Sequence, residues 1–161
     1  MKKLSLAFLV VLLSVVALTS ALTTASAAPA IKAPFSATIT GNTGPPQSPK
    51  RFWIDEEGIT HFRGLVVPAS ITGDINGDME ITENANVDSF GYGDVQVKAV
   101  ITVGTEEAYR MSFDGTLSGG VTSGTFVIDG MGSCKGIHIT GTLTPTSTGA
   151  ELTGTKLTTK P

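Results

Sequence analysis

The sequence predicts an all-β protein: a small antiparallel barrel of eight or nine strands, with no helix after its N-terminal leader. Apolar and polar residues alternate with period two along segments that recur at intervals of roughly 10 to 15 residues. Turn residues separate these segments, and the chain has 19 glycines among its 161 residues. The one cysteine, Cys134, can form no internal disulfide, so no covalent link stabilises the sheet. Closure into a barrel is therefore favoured, because it leaves no unpaired sheet edge.

The first 27 residues have the three parts of a secretory signal peptide. Two lysines precede an apolar run from Leu4 to Leu18, and Ala25-Ser26-Ala27 is a small-residue cleavage site. The run is about 15 residues long, shorter than the roughly 20 that span a bilayer, which favours a cleaved signal over a membrane anchor. We therefore expect cleavage after Ala27, export, a flexible leader over residues 28–34 and one barrel domain over residues 35–158.

The charge of the chain argues against two classes of partner. Without the signal, 9 lysines and arginines face 14 aspartates and glutamates, which gives a formal charge of −5. A mildly acidic chain without a basic cluster is not expected to bind nucleic acid, nor a membrane surface after the signal is removed. The sequence leaves the oligomeric state open.

The first strands of the barrel are predicted from alternation and turn signals. Residues 35–40 alternate as a half-buried strand, and a loop rich in proline and glycine follows over residues 41–49. Residues 51–55 and 59–63 flank a Glu-Glu-Gly turn and form a predicted hairpin. This hairpin is expected to contribute three side chains to the core: Phe52, Ile54 and Phe62.

Strict alternation over residues 71–82 is interpreted as a strand with one apolar face and one polar, solvent-exposed face. Its inward glycines, Gly73 and Gly77, predict bending or the close approach of another backbone. Three acidic residues would share the solvent-exposed face: Asp74, Asp78 and Glu80. Their segment fails the EF-hand pattern, which needs Gly at position 6 and Glu at position 12, so a solvated face is favoured over a Ca²⁺ site.

The same alternation predicts five further strands. They are centred on residues 95–103, 109–117, 126–128, 137–143 and 150–157. Four side chains from different apolar faces are expected to point into one common core: Ile75, Val97, Phe113 and Ile139.

The segment from Thr125 to Gly141 has the glycine spacing Gly-x-Gly-x-x-x-Gly-x-x-x-x-Gly. It resembles the hairpin of the allene oxide cyclase-like and dirigent-like β-barrels, in which a strand reaches a glycine corner, turns tightly and returns along its neighbour. The rest of the chain resembles them in strand count alone. The resemblance implies an eight-stranded barrel whose apolar interior accepts a small hydrophobic molecule, and it carries over no catalytic residue.

Few side chains indicate chemistry. The two histidines, His61 and His138, have no metal-ligand spacing, and His138 is expected on a solvent face. Cys134 beside Lys135 is either a nucleophile with a lowered pKa or a small buried thiol at a barrel corner, and the second reading is favoured. We expect no metal and no cofactor.

The barrel interior is the expected binding surface. Its candidate lining residues are Phe52, Met79, Tyr109 and Phe113. The favoured function is a non-enzymatic barrel that binds a small apolar molecule. The alternatives are a cyclase- or isomerase-like enzyme for an apolar substrate, and an extracellular interaction protein with a solid barrel. One or two inward polar groups in a hollow barrel favour the enzyme, and a wholly apolar hollow favours the binding protein.

Overall fold

The computed structural model describes residues 29–41 and 47–159, which form a closed antiparallel barrel. The predicted signal and its cleavage site lie outside the described residues. The strands are β1 (Ile31–Thr40), β2 (Arg51–Ile54), β3 (Thr60–Gly73), β4 (Gly77–Val87), β5 (Gly93–Val103), β6 (Glu106–Ser118), β7 (Val121–Gly130), β8 (Ile137–Thr146) and β9 (Gly149–Thr158). The predicted all-β class is confirmed. Within the described ranges the one helical element is a 3₁₀ turn at Gly132–Cys134, and no helix there is long and apolar enough to cross a membrane.

Eight strands close the barrel, and β2 is an additional strand outside it. From β3 to β9 each strand pairs antiparallel with the next one along the chain, and β9 pairs with β1. The barrel closes between β1 and the C-terminal end of β3, from the pair Ala37–Gly73 to the pair Thr40–Ser70. β2 pairs with the N-terminal end of β3, so it extends the sheet beyond the point of closure.

β1 begins at Ile31, before the predicted start at Phe35. Residues 31–34 pair with Thr158 to Thr155 of β9, so they belong to the barrel wall. The pairing of a neighbouring strand decides this boundary, because the Ala- and Pro-containing leader has no clear alternation of its own.

The alternating segment over residues 71–82 is a hairpin, and its interpretation as one strand was wrong. β3 and β4 lie on either side of a turn at residues 74–76. The apolar alternation continues through the turn because the side chain at its centre is buried. Asp74 therefore lies in the turn, and it does not share a strand face with Asp78 and Glu80.

Both glycines of this hairpin lie where another backbone comes close, as predicted. A Cβ atom added at Gly73 would lie 2.7 Å from the Ser36 carbonyl oxygen, and the φ angle of Gly73 is +128°. A Cβ atom added at Gly77 would collide with the Thr102 carbonyl oxygen. Glycine at these positions lets the hairpin lie directly against β1 and β5.

The barrel has an open end and a closed end. At the open end β1, β4, β6 and β8 finish, and at the closed end β3, β5, β7 and β9 finish. The largest fully buried side chains fill the barrel from its middle to the closed end: Ile71, Ile101, Phe126, Ile128, Ile139 and Leu152. The predicted common core is confirmed, since Ile75, Phe113 and Ile139 are buried and Val97 is half-buried against them.

The expectation that Phe52 and Ile54 join the core was wrong. Both side chains are 62% exposed, whereas Phe62, across from Phe52 on β3, packs against the core. β2 lies beyond the closure of the barrel, so no opposite wall covers its side chains. The hairpin itself is confirmed, with the pairs running from Arg51–Arg63 to Ile54–Thr60.

Candidate functional site

A cavity of about 360 Å³ lies inside the open end of the barrel. Seven strands contribute to its wall, which is mainly apolar: Ile39, Met79, Ile81, Val97, Phe113 and Leu143. The Phe113 ring lies against Gly115 and Gly124, where no side chain competes for the space. The closed end, by contrast, has isoleucines at its inward positions and is filled. The barrel is therefore hollow at one end and solid at the other.

Among the described residues that line this cavity, Glu83 is the one with an ionisable side chain. It lies on the inner face of β4, opposite Leu65 of β3 and Val97 of β5. Burial raises the pKa of the Glu83 carboxyl group, and no hydrogen bond from the described residues counteracts that effect. A carboxyl group in these surroundings is stabilised by a bound molecule that offers it a hydrogen-bond partner or a positive charge.

Glu83 was not among the residues predicted to line the barrel, although the alternation along β4 indicates that its side chain points inward. Ile81, Glu83, Ala85 and Val87 follow each other at alternate positions of β4, and Ala85 is buried. Continuing the inward register by one step beyond Ile81 places the carboxylate inside the barrel.

The structure brings together two of the four predicted lining residues. Met79 and Phe113 both line the cavity. Phe52 is exposed on β2, and Tyr109 is half-buried near the closed end, where it pairs with Gly130 of β7. Tyr109 and Phe52 do not reach the cavity, because one lies at the far end of its strand and the other lies outside the barrel.

Tyr109 and Cys134 meet at the glycine corner near the closed end. Burial, and then the hydrogen bond between the Tyr109 hydroxyl and the Cys134 thiol, raise the pKa of Tyr109 to about 12. Cys134 is half-buried beside the 3₁₀ turn, and its backbone N–H donates to the Met131 carbonyl oxygen at 2.8 Å. These contacts agree with a thiol that packs at a barrel corner.

His61 is held at both of its ring nitrogens. Its Nε2 lies 2.8 Å from Asp55 Oδ2, and its Nδ1 lies 2.8 Å from Asn86 Oδ1, an oxygen that also accepts from Arg63. The Trp53 ring stacks on the imidazole at 4.6 Å, with an interplanar angle of 10°. The hydrogen bonds to Asp55 and then Asn86 raise the pKa of His61. Neither nitrogen is free to act as a general base, so this cluster supports the fold.

His138 is exposed on the outer face of β8, as predicted, and its Nδ1 lies 2.6 Å from Asp129 Oδ1. Asp129 belongs to β7 and pairs directly with His138 in the sheet. Within residues 29–41 and 47–159, no three His, Cys, Asp or Glu side chains are close enough to hold a metal ion.

A second concavity, of about 340 Å³, lies on the outer wall near the open end. Its polar lining includes Arg63, Asn86, Asp94 and Asp114. The Arg63 guanidinium donates to the carbonyl oxygens of Phe62 and Ala85, so the one cationic side chain in the described lining of this groove already has partners within the protein.

The fold and the cavity define a small antiparallel β-barrel with an apolar cavity at one end, in which the described lining has one carboxyl group, that of Glu83. No family model and no curated protein sequence matches the chain.

Proposed function

We propose that this protein binds a small, largely apolar molecule in the cavity at the open end. The observation that carries the proposal is the combination of an apolar wall with one carboxyl group, Glu83, that has no hydrogen-bond donor among the described residues. The volume of about 360 Å³ lies within the range of small-molecule sites. Burial of apolar ligand surface supplies the affinity, and Glu83 selects for the polar group.

Glu83 restricts the class of ligand. When it is protonated, the carboxyl group donates a hydrogen bond to a carbonyl, ether or hydroxyl oxygen. When it is ionised, it favours an ammonium group or a hydroxyl donor and repels a carboxylate. A fatty acid carboxylate is therefore a poor ligand for this cavity, and a neutral or amine-bearing apolar molecule is a good one.

The test is a titration with N-phenyl-1-naphthylamine, a neutral dye whose emission rises in apolar surroundings. Val97→Trp on β5 fills the cavity, whereas Lys98→Trp adds the same ring to the outer face of the same strand. We expect Val97→Trp to lose dye binding and Lys98→Trp to retain it, with circular dichroism confirming that both fold. Equal dye binding by the two variants would place the ligand elsewhere.

A second candidate function is an isomerase- or cyclase-like enzyme that uses the same cavity. One observation favours it: Glu83 is an inward polar group in a hollow barrel, which is the feature expected of the enzyme, and burial raises its pKa, which suits a general acid in an apolar site. Binding is the first candidate because the described residues that line the cavity include no second ionisable side chain that could act together with Glu83. An isomerisation leaves the mass of the substrate unchanged but alters its chromatographic retention. If the protein is such an enzyme, Glu83→Gln abolishes conversion of the substrate while the substrate still binds. If Glu83→Gln changes neither conversion nor binding, the enzyme hypothesis is wrong and the protein is a binding protein.

We propose that the protein acts outside the cytoplasm. The charged start, the apolar run and the Ala25-Ser26-Ala27 site in the sequence support export with cleavage after Ala27. The resemblance of the glycine hairpin to allene oxide cyclase-like and dirigent-like barrels supports a small hydrophobic ligand.

A further inference from the structure

β2 leaves one edge of the sheet unpaired within the described part of the chain. It pairs with β3 on one side, and no described strand lies on the other. All four of its side chains are exposed, including those of Phe52, Trp53 and Ile54. An edge with free backbone groups and apolar side chains is a template for a further strand.

The hydrogen bonds next to β2 identify the backbone groups that face the free edge. The Asp55 N–H donates to the Ile59 carbonyl oxygen at 3.1 Å, on the side of β3. In an antiparallel ladder, alternate residues direct their N–H and C=O groups to opposite sides. Arg51 and Trp53 therefore bond to β3, and Phe52 and Ile54 present their N–H and C=O groups to the free edge.

The free edge carries opposite charges at its two ends. Lys50 and Arg51 stand at its start, and Asp55, Glu56 and Glu57 follow its end. Lys50, Arg51, Glu56 and Glu57 are exposed. A strand with this order of charges is complementary to a second copy of itself in the antiparallel direction.

We propose that two copies of this chain associate through β2, antiparallel, about a two-fold axis at Trp53. The ladder pairs residues whose backbone groups face each other, so Phe52 of one copy lies opposite Ile54 of the other. The same register places Arg51 opposite Asp55 and brings Lys50 next to the turn that carries Glu56, each of them twice by symmetry.

Neighbouring registers lose part of this match. A shift by two residues in one direction places Lys50 opposite Ile54, and a shift in the other direction moves Arg51 from Asp55 to Glu57 but leaves Lys50 without an acidic partner and places Glu56 opposite Phe52. The charges thus select one register, and Phe52 and Ile54 of both copies then form one apolar strip. This inference is independent of the cavity, because β2 contributes no residue to the cavity wall.

Charge exchange at Lys50 and Glu56 tests the proposal. Sedimentation velocity over a concentration series is expected to give a monomer–dimer equilibrium for the wild-type protein. In the proposed register Lys50→Glu places acidic side chains against Glu56 of the other copy, and Glu56→Lys places basic side chains against Lys50. Each variant alone is therefore expected to dimerise about tenfold more weakly than the wild-type protein. An equimolar mixture of the two variants restores opposite charges at both ends and is expected to recover dimers.

Trp53, the only tryptophan of the chain, provides a second measurement because it lies at the proposed axis. Its emission is expected to shift with concentration in the wild-type protein and in the mixture, and to shift only at about tenfold higher concentration in either variant alone. Lys98→Glu, a matched change on β5, is expected to behave as the wild-type protein. A wild-type protein that is monomeric at millimolar concentration overturns the proposal, and so do dimers that both single variants form unchanged.

Discussion

The Nε2 atom of His61 lies 2.8 Å from Oδ2 of Asp55, and this contact fastens the start of β3 to the turn before it. The other oxygen of the same carboxylate, Oδ1, accepts hydrogen bonds from the N–H groups of Glu57 at 3.0 Å and Ile59 at 2.9 Å. One side chain therefore closes the turn and orients the imidazole. Trp53 of β2 stacks on that imidazole, so the arrangement attaches β2 to the barrel.

The contribution of this pair to stability should depend on pH in both directions. The pKa of Asp55 is lowered, first by the hydrogen bond to His61, so its contribution is present above the ordinary value of 3.8 and is lost as the pH falls through the lowered pKa. The pKa of His61 is raised, so its contribution is present below 6.5 and is lost as the pH rises through the raised pKa.

We therefore expect His61→Phe, which keeps the stacking on Trp53, to lower the melting temperature most between pH 3.8 and 6.5. Melting curves of the variant and the wild-type protein from pH 3 to pH 9 measure this difference. His138→Phe removes the corresponding exposed pair with Asp129 and should have little effect. A constant difference across the pH range would show that the loss is one of packing alone.

Replacing Glu83 with glutamine should stabilise the protein at neutral pH. Because burial raises the pKa of Glu83, the protonated form favours folding, and the free energy of unfolding falls as the pH rises from 4.5 through the raised pKa. Glu83→Gln removes that fall, whereas Glu80→Gln, on the exposed face of the same strand, should follow the wild-type curve. Urea unfolding at pH 4 and pH 8 makes the comparison, and an equal fall in Glu83→Gln contradicts it.

The affinity for the neutral dye should depend on the ionisation of the same group, Glu83. As the pH rises through the raised pKa of Glu83, an unpaired charge appears in the cavity wall and draws in water, so the affinity for N-phenyl-1-naphthylamine should fall. The affinity of Glu83→Gln should not change with pH. Dye titrations of both proteins at several pH values test this. If the affinity of the wild-type protein does not change with pH, Glu83 does not contact the bound dye.

Gly136→Val should destabilise the barrel by about 1–3 kcal/mol. Gly136 has a φ angle of +93°, and a Cβ atom there would lie 2.9 Å from the Thr159 carbonyl oxygen. A β-branched residue adopts that conformation only with strain. Urea unfolding measures the change, and Lys135→Ala at the neighbouring exposed position is the control and should be nearly silent. Similar losses in both variants would mean that the corner tolerates a side chain.

Phe126→Ala should cost about 3–5 kcal/mol of stability, because the ring is fully buried and its removal leaves a cavity. The ring centroid lies 6.0 Å from that of Phe35 on β1, so the loss affects the packing of both strands. Thr125→Ala, at the exposed position beside it, should change stability by less than about 0.5 kcal/mol. Comparable losses of stability in the two variants would mean that the inner and outer faces of β7 are wrongly assigned.

Export predicts a defined N-terminus. The mature protein should begin at Ala28, because the small residues at positions 25 and 27 suit the signal peptidase. N-terminal sequencing of the protein recovered from the medium or periplasm is the measurement. Changing Ala27 to a bulky residue should block or move the cleavage, and a membrane-bound protein that retains residues 1–27 would contradict the prediction.

Most of the barrel wall could be predicted from the sequence, because an antiparallel sheet with one buried face imposes period two on each strand. The hairpin of β2 and β3, the strands β5 to β9 and the glycine corner at Gly132 and Gly136 all have local signals in the chain. The turn at residues 74–76 was hidden because its central side chain is buried and continues the alternation. Local pattern alone does not distinguish such a turn from a strand.

The amino-acid sequence alone predicts which side chains of a strand share one face, because that depends on the alternation of neighbours along one chain. It did not determine what those side chains meet. The tertiary structure decided that Phe52 and Ile54 face solvent, since the barrel closes between β1 and β3 and leaves β2 outside. It also decided that Glu83 lies in a cavity and Tyr109 beside Cys134, because the register between distant strands sets which end of the barrel is filled.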